Sequence, residues 1–393
     1  MATFRHSISR FAIWSLFSLI CALSSYSQVP GDVFRRTLVE RAGFTDEELA
    51  KASDGEPIVK TLKNSDKKDF GVCGIVRIRS TKDVTMAAFR EAVSRRGDKT
   101  ILAQSDFSSP PAAADLAQLT LDPADIDALK ECEVGDCKLK LSAALIKRFH
   151  SEIEWNADDH ADRANDLFRE ILSQYIAGYA TSGERSLMQY DNQSRPVDLA
   201  VEQRILLARS LFVGEIAPEF VKYLTEYPGA QLPAVDNNLH WTKIGFGLEP
   251  LVAVTHSSLY TRPDGLFIAT RQIYASRYVE ASLAFSMLVT VSLDGSNERY
   301  VIFTNLSRSD SLGGLLGGLK RSVVGADVAE RTVELLNHAK GRLDRPDVPP
   351  ANEPDQTLIE RITEFVGERF KSILAIALAG ILLLGLLFIG RKG

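Results

Sequence analysis

The chain has 393 residues with 46 Lys and Arg against 51 Asp and Glu, a formal charge of −5. Residues 1–27 hold two of the basic residues and no acid, and Arg391 and Lys392 two more, so residues 28–390 carry a formal −9. An acidic body without a basic block excludes nucleic acid as the partner and argues against docking on anionic headgroups.

The N-terminus reads as a signal peptide over 1–27. Arg5, His6 and Arg10 precede the apolar run Phe11–Leu23, and small residues follow up to a cleavage point after Ser27. Lipoprotein processing at Cys21 is rejected, because Leu19 and Ile20 replace the small residues that a lipidated cysteine needs.

Residues 28–111 are expected to form the N-terminal helices and strands of an α+β domain. Two short helices fall in 32–53, the second opened by the capping box Thr45 to Glu48 and closed by Gly55. Strands are expected over Glu56–Leu62 and Phe70–Arg79. In the latter, Val72, Gly74, Val76 and Ile78 face one way, and Cys73, Ile75, Arg77 and Arg79 the other. An amphipathic helix over Lys82–Arg95 and a strand over Ile101–Phe107 follow.

From 112 to 240 the pattern is helical. Asp122-Pro123 starts one helix, and Ser142–Ile153, Asp158–Ala180, Leu199–Phe212 and Ala217–Glu226 are the stronger stretches. Cys132 and Cys137 flank a Gly-Asp turn and are a candidate small-loop disulfide in an oxidising compartment; Cys73 reads as a buried small hydrophobe. Asp158, Asp159, His160 and Asp162 form an acidic cluster, better read as first-turn acids of a helix than as a metal site.

Residues 241–343 are expected to hold an antiparallel sheet and a long helix. Strands over Pro250–Thr261, Leu266–Tyr278, Glu280–Leu293 and Arg299–Leu306 are joined by turns at Arg262-Pro263-Asp264-Gly265 and Asp294-Gly295, which favours a meander. The helix runs over Ser311–Leu343. A Pro- and acid-rich linker occupies 344–357, a juxtamembrane helix 358–371, and a cytoplasmic tail 391–393. Between them 372–390 is free of charge. Nineteen helical residues at about 1.5 Å each span roughly 28 Å, close to the hydrocarbon core of a bilayer. The topology expected is therefore a single-pass membrane protein. Its body is extracytoplasmic (periplasmic in a bacterium) and its C-terminus cytoplasmic.

Catalytic motifs are missing: there is no G-x-S-x-G, H-E-x-x-H, G-x-G-x-x-G or G-x-x-x-x-G-K-[ST]. In GGLLGGLKRS the lysine is one position too late for a phosphate loop. No cofactor or metal is called for. Asn192-Gln193-Ser194 and Asn305-Leu306-Ser307 are glycosylation sequons. His256 lies mid-strand on the face of Val254, Ser258 and Tyr260, and the next strand offers Arg271, Tyr274, Arg277 and Tyr278. On a curled sheet these five are candidate ligand-binding residues facing an interior cavity; the alternative is an ordinary hydrogen-bonded sheet residue at each position.

The order of a strand at Val72–Arg79 leading into a helix, and later a meander and the helix Ser311–Leu343, resembles the START-like helix-grip superfamily of lipid-transfer and polyketide-cyclase proteins. The resemblance covers 56–107 and 245–343, with 112–240 as an insertion. It implies a sheet wrapped around the long helix and an apolar cavity between them; with no motif matched, it carries over no site residues. The fold expected is α+β: an antiparallel meander packed on a long C-terminal helix, an inserted helical subdomain and one C-terminal transmembrane helix. Three functions fit: binding of an apolar or amphipathic ligand such as a lipid, a structural or assembly role through envelope protein partners, and a hydrolase with His256 as base.

Overall fold

The computed structural model describes residues 28–345, apart from 64–65, 95–99, 211, 246–248, 294 and 310–316. The signal peptide, nearly all of the linker, the juxtamembrane helix, the span at 372–390 and the cytoplasmic tail lie outside the described residues. Among those described, no helix is long and apolar enough to cross a membrane.

A two-residue strand β1 (Val29–Pro30) leads into α1 (Gly31–Arg36), which widens into a π turn over Thr37–Ala42 and stops at Gly43, φ 80°. Helix α2 (Asp46–Asp54) has the expected capping box: the Glu48 amide donates to Thr45 Oγ1 at 3.2 Å and the Thr45 amide to Glu48 Oε2 at 2.8 Å. Gly55 ends it at φ 96°, a left-handed conformation that costs glycine little. Strands β2 (Ile58–Thr61) and β3 (Asp69–Ile78) pair antiparallel. Helix α3 (Met86–Ala92) is shorter at both ends than its periodicity suggests, because Thr85 caps its start and Val93 leaves helical geometry. Strand β4 (Ile101–Asp106) follows.

The helical block comprises α4 (Pro123–Glu131), α5 (Ala143–Glu152), α6 (His160–Ser182), the two-stranded ribbon β5 (Gln189–Tyr190) with β6 (Val197–Asp198), α7 (Leu199–Ala208), α8 (Val213–Ile216) and α9 (Pro218–Glu226). The single helix expected over Leu199–Phe212 ends early. Arg209 caps it, and Ser210 Oγ turns back to donate to the Leu207 carbonyl at 2.6 Å. Strand β7 (Val235–Ile244) begins inside the stretch read as helical. Its sequence VDNNLHWTKI has two adjacent asparagines and weak strand propensity, so pairing with neighbours makes it a strand.

The meander β8 (Leu251–Arg262), β9 (Gly265–Ala275), β10 (Ala281–Leu293) and β11 (Ser296–Arg308) is as the turns foretell, with Arg262 opposite Gly265 and Leu293 opposite Ser296. Helix α10 (Gly317–Leu343) ends the described chain. The sheet order is β2-β3-β11-β10-β9-β8-β7-β4, antiparallel throughout, with β1 lying parallel against β10. The fold is thus α+β around one large antiparallel sheet, whose early strand β3 sits beside its last strand β11.

The two faces of this sheet are covered differently. On the first, Ile75, Ile302, Met287, Phe267 and Tyr260 form one cross-strand row. That row belongs to the main core, with buried residues of α6 such as Phe168, Ile171 and Ile176. Phe220 of α9 stacks on Tyr260 at 5.2 Å. Trp241 is fully buried there, its indole N–H donating to the Asp115 carbonyl at 2.8 Å. On the second face α10 runs along β3. Gly325 lies beside Phe70, Leu336 and Thr332 beside Gly74, and the Arg79 amide donates to Asp344 at 2.6 Å. A Cβ at Gly74 would meet Leu336 at 2.8 Å, so glycine there permits the close approach of helix to sheet. Phe89 and Ala92 of α3 close the β8–β9 hairpin end over Leu259, Leu266 and Ile268.

Candidate functional site

His256 and Arg271 are directly opposed across β8 and β9 on the first face, as the alternation suggests. That face meets the helical layer, and the space is filled by side chains. Tyr227 has its ring centroid 4.4 Å from the His256 ring, and Tyr179 crosses it edge-on at 5.5 Å. His256 is 2% exposed. Burial first, and the Arg271 charge second, push its imidazole down to about 3, so it is neutral.

The hydrogen bonds fix its tautomer. The Asn237 amide nitrogen donates to Tyr223 Oη at 2.6 Å, which leaves Oδ1 as acceptor. His256 Nε2 therefore carries the proton and donates to Asn237 Oδ1 at 2.9 Å, while Nδ1 accepts from Tyr179 Oη at 2.8 Å. Ser258 Oγ lies 3.4 Å from Nε2 but donates to the same Asn237 oxygen at 2.9 Å. With its proton on Nε2, the imidazole cannot take one from Ser258. Arg271 Nη2 donates to the Leu224 carbonyl at 2.9 Å, in the last turn of α9, where the helix carbonyls carry partial negative charge.

The other candidates do not share this space. Tyr274 is buried among Phe168, Tyr175 and Tyr190, and burial holds its phenol well above the usual range. Arg277 reaches the helical block, where Nε donates to Asp125 Oδ1 at 2.8 Å; the side chains are 7% and 1% exposed. Tyr278, half-buried with φ 59°, donates to Glu249 Oε2 at 3.0 Å. Rather than lining one cavity, these residues secure the sheet to its helical layer and to the loop before β8. Sequence alternation gives the face of each residue; it does not reveal which layer will cover that face.

Cys132 and Cys137 are bonded. Their loop turns at Gly135, φ 92°, and hangs from the ribbon through Gly135 N–H to the Asp191 carbonyl at 2.7 Å. Cys73 is buried in the core, which pushes its thiol up to about 12. Asp159 pairs with Arg163 at 2.8 Å on an exposed helix start. Among the described residues no group of three His, Cys, Asp or Glu side chains converges as a metal site would require. Asn192 is buried, whereas Asn305 is half-buried. The surface of the described residues includes two depressions. One is a crevice of about 250 Å³ lined by Phe34, Leu49, Ile75 and Tyr300, and the other a shallow hollow of about 420 Å³ beside the disulfide.

The second face has the features that sequence reading did not single out. On it Thr255, Thr270, Ser282, Ala284, Ser286, Asn305 and Ser307 are half-buried, whereas Ser257, Gln272, Leu259 and Ile268 are buried. One row runs Asn305, Ala284, Thr270, Ser257; the adjacent row runs Phe303, Ser286, Ile268, Leu259. A third pairs Ser307 with Ser282 and Gln272 with Thr255. Phe303 packs toward α10, in contact with the cluster that includes Leu335 and Val328. The face thus sets a mainly apolar row, broken by Ser286, beside rows of Ser, Thr, Asn, Gln and Ala. The signal was present in the sequence as every-second-residue Ser, Thr, Asn and Ala.

No protein-family model matches the chain, and no curated protein matches it. Among solved structures, the chain is similar to the Zhui aromatase/cyclase from Streptomyces sp. R1128, with 18% identity and a TM-score of 0.21 over 36% of this chain and 90% of that one. A likeness of that size carries no argument about this chain.

Proposed function

We propose that the protein is a helix-grip binding module for an amphipathic ligand, held to a membrane by 372–390 with its body on the extracytoplasmic side. The observation that carries this reading is the second face, where an apolar row lies beside polar ones. Beside α10 it offers Phe303 and the apolar edge of the helix, with Ile268 and Leu259 farther along the same row; next to them it offers the half-buried Ser282, Ser286, Thr270 and Thr255. A surface of that kind suits a ligand with an apolar chain and a polar head. The strand order, with β3 against β11 and the last helix along β3, supports the helix-grip reading. The bonded Cys132–Cys137 pair fits an oxidising compartment. The hydrolase reading has less support, because the His256 proton is committed to Asn237.

Solvent extraction of the purified full chain, followed by mass spectrometry, tests the proposal. An amphiphile retained in near-stoichiometric amount, and lost when Thr270→Trp fills the face, is the expected result. A chain that carries no amphiphile, or carries it equally with Thr270→Trp, overturns it.

A further inference from the structure

The crevice on the first face lies between α1 and α2, over β3, β10 and β11, and holds about 250 Å³. Phe34, Leu49, Ala50, Ile75, Leu293 and Tyr300 line it. An apolar cavity of about 150 Å³ already holds a benzene ring, so this one has room for a phenylalanine side chain. At its rim stands the Arg35–Asp46 ion pair, with side chains 61% and 72% exposed. A pair so exposed contributes little and yields readily to a new partner. The chain leaves α10 close by. The Arg79 amide donates to Asp344 at 2.6 Å, and Arg79 Nη2 donates at 2.9 Å to the carbonyl of Asp54, the neighbour of Ser53 in the crevice wall. Ile75 on the floor is four residues before Arg79, about 13 Å along the strand. Residues 345–357, fully extended, reach over roughly 40 Å. The segment that follows, 358–371, carries Leu358, Ile362, Phe365 and Val366 at helical spacing, an apolar stripe that needs a cover. Glu360, Glu364 and Glu368 balance Arg361, Arg369 and Lys371, unlike the basic face of a helix that lies on a bilayer. A short tether holds such a segment near its site at an effective concentration on the order of millimolar. We propose that 358–371 docks on α1 and α2 with Phe365, the centre of its stripe, seated in the crevice and Glu364 beside Arg35. The body is then held against the base of its own anchor. This interaction goes beyond the amphiphile reading and does not use the second face.

The experiment uses the full chain in phosphatidylcholine nanodiscs, with the photo-crosslinker p-benzoylphenylalanine in place of Phe365. Crosslinks are mapped by peptide mass spectrometry and are expected to fall mainly on 34–53. Ala50→Trp, at an exposed position whose new side chain fills the crevice, is expected to lower them at least about tenfold. The crosslinker in place of Thr363, on the opposite side of a helix from the stripe, is expected to label 34–53 at least about tenfold less than from position 365. Crosslinks from position 365 that go only to lipid, spread over the body, or ignore Ala50→Trp overturn the proposal, as does equal labelling from position 363. Heavy-isotope and unlabelled chains mixed in one preparation identify the donor: crosslinks between the two assign the crevice to a second copy and also overturn it. None of these outcomes bears on the amphiphile, which solvent extraction tests separately.

Discussion

The two faces of one sheet treat polar side chains in opposite ways. His256 and Arg271 on the first face, and Arg277 just past the end of β9, are buried, and Tyr179, the Leu224 carbonyl and Asp125 of the helical block partner them. Each group is costly to desolvate and is tolerated because a specific acceptor or donor meets it. On the second face Thr270, Ser286 and Asn305 are half-buried, their polarity met in part by solvent. The conspicuous residues of the sequence thus hold layers together, while the inconspicuous ones line the open surface. Residue type alone does not separate holding from binding; the covering layer does.

Four measurements would break or sharpen this contrast. Arg277→Met leaves Asp125 as a buried carboxylate without its partner, and about 3–5 kcal/mol of unfolding free energy should be lost in urea titrations. A loss below 1 kcal/mol would show that the pair is not holding the layers.

His256 predicts a pH dependence. Its folded value, about 3, lies below the ordinary 6.5, so folding favours the neutral ring. The stability it contributes is complete above about pH 6.5 and is lost as pH falls toward 3, with a slope approaching ~1.4 kcal/mol per pH unit. His256→Gln should flatten that part of the curve relative to wild type; parallel curves would contradict the buried neutral histidine.

Gly74→Ala should cost roughly 1–3 kcal/mol, because its methyl group meets Leu336 and Thr332 and forces α10 off β3. An unchanged midpoint in thermal melts would mean that the helix gives way freely. Smallest of all, Thr270→Ala and Ser286→Ala should each shift stability by no more than ~0.5 kcal/mol, the ordinary cost at a surface position away from special features. If either costs as much as Arg277→Met, the second face is a closed core and the contrast fails.

Much of the fold was legible locally. The capping box at Thr45, the strand at 69–78 and the meander after β7 each rest on residues close in sequence. Strand β7 was not, because Asn237 and Asn238 serve different faces: one accepts from His256 and the other lies in register with Ser257. The His256 network was illegible for a related reason. Tyr179 lies 77 residues before it and Asn237 19 residues before it, on separate elements, and no spacing rule links them. Asp125 lies 152 residues from Arg277. The open face was legible as alternation, but its meaning depended on where α10 would lie.

The ladder between β3 and β11 has a consequence for how the molecule is made. Asp69 and Arg308, ion-paired partners at its end, are 239 residues apart. During synthesis β3 emerges early and has only the short β2 to pair with until the last strand is complete. Closure of so distant a contact is slow, and an early strand left waiting is the segment most exposed to wrong partners. Chains stopped before Ser296 should therefore keep β3 open to proteolysis, however well the helical block has already formed.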